Sequence, residues 1–449
     1  MIEMLRSGAW LTRERIRLVA LAVLAASVIG AAFLIATSNG LNDRFGRPLG
    51  TDFSNVYAAG SYVLDGEAIA PFSPPRQYAR EQAIFGPKTQ FYGWHYPPYF
   101  LGLAALFAAM PYPLALALWQ GVTLVLYLLV IRRILLVPPL KGEGVFARSA
   151  ETGGVCLAPN GAPPADRLRR PPFPASGGGI DGMWLLLALA YPAVFINLGH
   201  GHNGFLTAAL IGAALVQLDR RPWLAGVLIG LLVYKPQFGL LIPLVLVASG
   251  RWRTFAAATL TVIALTLIVT LAFGPDVWSA FLASTKFTRT VVLEQGDTGW
   301  QKIQSVFSVV RMWGGSVPLA YALQGTVTVA AAAALAWLWR SRAAFALQAA
   351  ALAIAAILAT PYSLDYDLMA VAPAIAFMAR DGIERGFSPW EKTLLAALWF
   401  VPLLTRTVAG ATLIPLAVPT LLLSFVFLLR RAIVDNPSPR PSGVLQSTP

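Results

Sequence analysis

WLAGVLIGLLVYKPQFGLLIPLVLVA, residues 223–248, is apolar from end to end except for Tyr-Lys-Pro-Gln at its centre. As a single kinked helix the stretch crosses a bilayer once and leaves Lys235 at mid-membrane. As two short helices it enters and leaves on one side, with Lys235 at the turn. A charge in hydrocarbon is costly, and the residue before a proline is pushed out of helical geometry. The spacing therefore predicts two short helices meeting at an outer turn at Lys235-Pro236, and this choice sets the sidedness of the rest of the chain.

Of the 449 residues, 57% are hydrophobic and 12% are charged, whereas soluble proteins carry roughly 25% charge. Apolar stretches recur from Arg17 to Arg431, many of them near the length one helix needs to cross hydrocarbon. The fold class expected is all-α: a polytopic integral membrane protein with about 12 transmembrane helices. Spans are placed near 17–38, 114–136, 183–199, 203–219, 222–234, 236–249, 253–273, 317–339, 344–360, 365–379, 391–404 and 410–430. The first, IRLVALAVLAASVIGAAFLIA, is longer than a signal-peptide core and lacks a clear A-x-A site, so it reads as an uncleaved helix.

A net charge of +13 suggests nucleic acid or anionic lipid until the charges are located. With the N-terminus inside, inner segments hold 23 Lys/Arg and 11 Asp/Glu, and outer segments hold 11 and 10. That is the positive-inside pattern, so the basic residues report orientation and no nucleic-acid partner is expected. His95, His200 and His202 all fall on the outer side. Cys156 is the single cysteine, which excludes an internal disulfide.

Four regions follow. Residues 1–136 hold the first helix, a large first outer loop from about Ser38 to Pro113 with juxtamembrane helices, and the second helix. Within that loop 97–111 is proline-bounded and too short to span comfortably. Residues 137–182 read as a disordered Pro/Gly-rich cytosolic insertion. The remaining spans, with an outer loop at 274–316, occupy 183–431, and 432–449 is a cytosolic tail. No phosphate-cradling glycine loop, metal-ligand spacing or serine nucleophile motif is present, so no metal and no cofactor are expected.

Polar residues gather at outer helix ends, where ionisable groups are usually functional or paired. Asp52, with Phe53 and Tyr57 nearby, is placed to take a proton from an attacking hydroxyl, or else to cap the helix that follows it. Lys235 suits a lipid-linked phosphate, or is a snorkelling interfacial lysine. Tyr57, His95, Tyr96, His202, Asn203 and Gln237 are candidate substrate-binding residues, His202 and Asn203 for sugar hydroxyls. Lys286 and Arg289 are candidate phosphate helpers on sidedness alone. Asp365 and Asp367, two residues apart, cannot share a helix face, so at most one is expected in the site.

Taken in order, DFSNVYAAGSYVLDGEAIAPF, YGWHYPPYFLGLAALFAAMPYPLALALWQ, the run from GHGHNG through VYKPQFG, and TPYSLDYDLMAVAPAIAF resemble glycosyltransferase family 87 over about residues 15 to 430. These are bacterial polyprenol-phosphate-mannose-dependent α-mannosyltransferases of the GT-C fold. The resemblance implies a GT-C type helical bundle and inverting transfer from a polyprenyl-phosphate-linked sugar to a lipid or glycan acceptor among membrane lipids. It also implies a bacterial inner membrane location, cytosolic termini and a site facing the periplasm. Asp52 matches the family's base, and Lys235 resembles a lysine that contacts carrier phosphate in related enzymes. Where family members often have a histidine, this chain has Tyr366 and Asp367, and a Gly-Gln-Asn turn reads Gly-His-Asn through His202. The rival classes are a secondary transporter or lipid flippase, which needs polar inner half-helices as well, and a non-catalytic scaffold.

Overall fold

The computed structural model describes residues 1–136 and 182–435. The expected insertion, apart from Gly182, and the chain beyond Asp435 lie outside the described residues. Among the described residues the chain is helical, with isolated bridges and no strand.

Among the described residues, six helices are long and apolar enough to cross a membrane: Arg13–Ala36, Tyr112–Leu136, Trp252–Phe273, Val317–Arg340, Glu391–Thr412 and Ala417–Asp435. Met183–Leu189 and Pro192–His200 meet at 45° at Pro192 and are together long and apolar enough for a seventh, as a broken span or a re-entrant loop. The other expected spans fall on shorter helices, among them Gly204–Gln217 and Phe345–Leu358. Their burial accounts for the difference. Every residue from Leu347 to Leu358 is buried, whereas only 6% of the best window of Arg13–Ala36 is. Ala- and Leu-rich inner helices pack closely against neighbours and need not reach lipid along their whole length.

Residues 222–248 form two helical pieces separated at Lys235, whose φ of −134° and ψ of 71° end the first. A Cβ added to Gly226 would meet Ala257 Cβ at 2.4 Å, and one on Gly230 would meet Thr261 Cβ at 2.5 Å. Pro222–Leu231 thus runs parallel to Trp252–Phe273. Asp219 and Arg251, at the two starts, form an ion pair, so the chain doubles back and Lys235 sits at the far turn.

The first loop folds over that same end. Thr51–Leu64 packs on the short helix Leu101–Ala108, with Gly60 at the crossing: a Cβ there would stand 2.0 Å from the Ala104 carbonyl oxygen. Gly60→Ala should therefore cost roughly 1–3 kcal/mol by overpacking. Melting in detergent should fall for that variant and hold for Gly102→Ala, whose added methyl meets nothing within 4 Å. At the opposite end Arg431, buried between Asp381 at 2.7 Å and Glu391, ties together the last three helices.

Candidate active site

Gly50, at φ 70°, starts the helix Thr51–Leu64 two residues earlier than a capping Asp52 requires. The amides of Phe53 and Ser54 donate to the Gly50 carbonyl at 2.8 and 3.0 Å, and no side chain caps this end. Asp52 lies in the first turn, and the capping role is corrected. Gly50 also meets Gly201, where a Cβ would lie 2.7 Å from Phe53 Cβ and 3.1 Å from Gly50 Cα. This close approach puts His200 Nδ1 2.7 Å from Thr51 Oγ1 and 3.9 Å from Asp52 Oδ1. Asp52 Oδ2 is buried with no hydrogen-bond partner in the protein. Burial raises the Asp52 carboxyl above its ordinary range, and His200 opposes that shift.

Lys235 faces Asp52 across a cavity, held by Asp367 Oδ1 at 2.6 Å and near His202 Nε2 at 3.3 Å. The other Asp367 oxygen accepts from the Leu364 amide at 2.9 Å. The Tyr366 ring stacks on His202 with centroids 3.6 Å apart. Asn197 secures both turns: its amide donates to the Tyr366 carbonyl at 3.0 Å and its oxygen accepts from Gly204 N at 2.9 Å. Glu81, wholly buried, accepts from the amides of Tyr92 and Gly93 at 2.9 and 3.0 Å, which fixes the segment leading to His95 and Tyr96. Burial raises the Glu81 carboxyl to about 7 and lowers His95 to about 4, so His95 is neutral. His95 Nδ1 shares a proton with Thr288 Oγ1 at 2.8 Å. Thr288 begins the π-helix Thr288–Glu294, a form frequent at functional sites.

The cavity, about 280 Å³, gathers Asp52, His95, Tyr96, His202, Lys235, Gln237, Arg289 and Asp367 from the sequence candidates. Four candidates lie elsewhere. Tyr57 donates to the Met110 carbonyl at 3.0 Å and packs edge-on to Tyr112. Lys286 is exposed on the far face of its helix from Ser284, Thr285 and Thr288, which line the wall. Asn203 is buried behind the wall at the start of Gly204–Gln217. Asp365 turns away to Arg406, 3.4 Å distant. Sequence reasoning missed Asn55, Tyr92, Thr288, Tyr362 and Tyr366 on this wall. Asn55 follows Asp52 by three residues, the spacing of one helix face, and that signal could have found it.

Beyond the Thr51–His200 contact lies a second cavity of about 360 Å³. Val23, Leu34, Phe195, Ile196 and Leu403 form its apolar side, and Asp43, Arg47, His200, Asp365 and Arg406 its polar end. Asp43 and Arg47 pair at 2.9 Å. Asp43 and Asp365 are thus separated from Asp52 and Asp367, and among the described residues no group of three His, Cys, Asp or Glu is placed to hold a metal.

The first cavity thus offers a carboxylate with a free oxygen opposite a buried cation, with neutral hydrogen-bonding groups between them. That set can deprotonate a hydroxyl and steady a departing anion. A family model, glycosyltransferase family 87, matches residues 94–361. No curated protein and no solved structure matches the chain. The matched stretch covers more than half of the chain and includes His95, His202, Lys235 and Arg289, with Asp52 before it and Asp367 after it. The chain belongs to glycosyltransferase family 87, and it is a membrane glycosyltransferase.

Proposed function

We propose that the protein moves a hexose, mannose by the family resemblance, from a polyprenyl-phosphate carrier to a lipid or glycan acceptor, with inversion. Asp52 is the base and Lys235 meets the carrier phosphate. The observation that carries the reading is Asp52 Oδ2, buried without a partner in a carboxylate that lines the same cavity as Lys235. A lipid phosphate on the anomeric carbon is already a leaving group, so the site needs a base, a cation and exclusion of water rather than a nucleotide pocket. The Lys235 ammonium has three donors. Asp367 and His202 engage two, and the third is left for a phosphate oxygen. Arg289 at the rim adds a second cation.

The cavity sits at the end of the bundle opposite the Arg251, Arg385 and Arg431 clusters. By the positive-inside rule this supports a site on the periplasmic side of a bacterial inner membrane. Purified protein in detergent should transfer label from radiolabelled polyprenyl-phosphate-mannose to a lipid extract, with none moving from guanosine-diphosphate-mannose. Equal transfer from the nucleotide sugar, or from it alone, overturns the donor assignment.

A further inference from the structure

A base inside a filled cavity must dispose of the proton it takes. On the substrate side of Asp52 the neighbours are a lysine already paired with Asp367, a set of tyrosine hydroxyls and two histidines already engaged, His202 with the Lys235 ammonium and His95 with Thr288. On the other side is His200. Its Nδ1 stands 3.9 Å from Asp52 Oδ1, and its ring opens into the second cavity while Asp52 lines the first. Two glycines with positive φ, Gly50 and Gly201, allow that approach: a Cβ on Gly201 would lie 2.7 Å from Phe53 Cβ, and one on Gly50 would lie 2.8 Å from Leu116 Cδ1. We infer that His200 takes the proton from Asp52 and releases it through the second cavity, so that the proton leaves by a route separate from both substrates.

This inference rests on the reading of Asp52 as the base. The acceptor hydroxyl gives its proton to the Asp52 carboxylate as its oxygen bonds to the anomeric carbon, and the bond from that carbon to the carrier phosphate breaks with its electron pair on the phosphate. The carboxylic acid then passes the proton to His200 Nδ1, the 3.9 Å gap between them closing to hydrogen-bond distance in the substrate complex. The imidazolium gives its Nδ1 proton to the Thr51 hydroxyl as that hydroxyl passes its own proton to water in the second cavity, which Thr51 also lines, so His200 returns to its Nε2-protonated tautomer and Asp52 to the carboxylate. Thr51, adjacent to Asp52 and 2.7 Å from the same nitrogen, holds the ring in register. His200 is the last residue of Pro192–His200. Tyr366 lies edge-on to it with centroids 5.7 Å apart. The other charged side chains on this cavity, Asp43 with Arg47 and Asp365 with Arg406, are matched to each other, so neither carboxylate needs the imidazolium as its counter-ion.

The test compares His200→Ala and His200→Gln with wild type at saturating donor and acceptor, with and without added imidazole or pyrazole. Both variants should lose on the order of 10- to 100-fold in turnover, below the full contribution of a general base, with KM for the donor unchanged. Imidazole should restore most of the loss in His200→Ala. Pyrazole, of the same shape but far less basic, should not. Wild-type turnover in His200→Gln, or equal rescue by both rings, overturns the relay and leaves His200 as packing. Should His200→Ala fail to fold, His200→Gln decides the matter by its turnover. Wild-type protein that moves sugar from no lipid phosphate removes the functional reading itself, and the relay with it. An active wild type with indifferent His200 variants removes the relay alone.

Discussion

Asp52→Asn should lower turnover by about 10³-fold, within the range expected of a general base, while leaving the fold intact. The two halves of that expectation come from one observation. Because Asp52 Oδ2 has no partner and the side chain caps no helix, the carboxylate contributes little to the packing around it. Burying it costs desolvation, which is why its carboxyl is raised. A neutral amide of the same shape removes that cost, so melting in detergent should stay level or rise as activity disappears. The same shift gives a sign for pH. The ionised carboxylate is the working form, so transfer is present above the raised value and falls as pH drops through it, sooner than an unperturbed aspartate would dictate. A variant that melts earlier and loses activity in proportion would mark Asp52 as structural.

The second large effect concerns Lys235 and Asp367, a buried pair 2.6 Å apart. Lys235→Met leaves the Asp367 carboxylate buried with the Leu364 amide but without its cation. Breaking such a pair from one side costs roughly 3–5 kcal/mol, whereas replacing both partners is often close to neutral. Lys235→Met should therefore melt well below wild type, and the Lys235→Met, Asp367→Asn double variant should recover most of the loss, since asparagine keeps an acceptor for Leu364. Transfer should stay at least 10²-fold down in both, because the charge that meets the leaving phosphate is gone. Recovery of activity along with stability in the double variant would assign Lys235 to architecture alone.

The parts of this site legible in the sequence are those set by local rules. The Lys-Pro step implied a turn because proline forbids the residue before it from continuing a helix, and the chain does double back there. The two-residue spacing of Asp365 and Asp367 implied divergence, and they point into different cavities. Tyr57 was misjudged through helix phase: five residues beyond Asp52 it lies on another face, whereas Asn55, three beyond, shares the wall. Lys286 fails for the same reason beside Thr285 and Thr288. The capping role given to Asp52 failed because Gly50 tolerates a left-handed conformation and starts the helix early. His200 was out of reach, since its contact with Thr51 spans 149 residues of chain and depends on two glycines meeting. The short inner helices were marked as spans by hydropathy, which does not separate a core buried in protein from a surface facing lipid.

The most direct measurement is the rate of label transfer from polyprenyl-phosphate-mannose to extracted lipid by wild type and Asp52→Asn, purified side by side and matched for melting temperature. The account predicts transfer by the wild type and a loss of about 10³-fold in the folded variant. Transfer at similar rates by both proteins would contradict it, because the hydroxyl would then be deprotonated by some group other than Asp52.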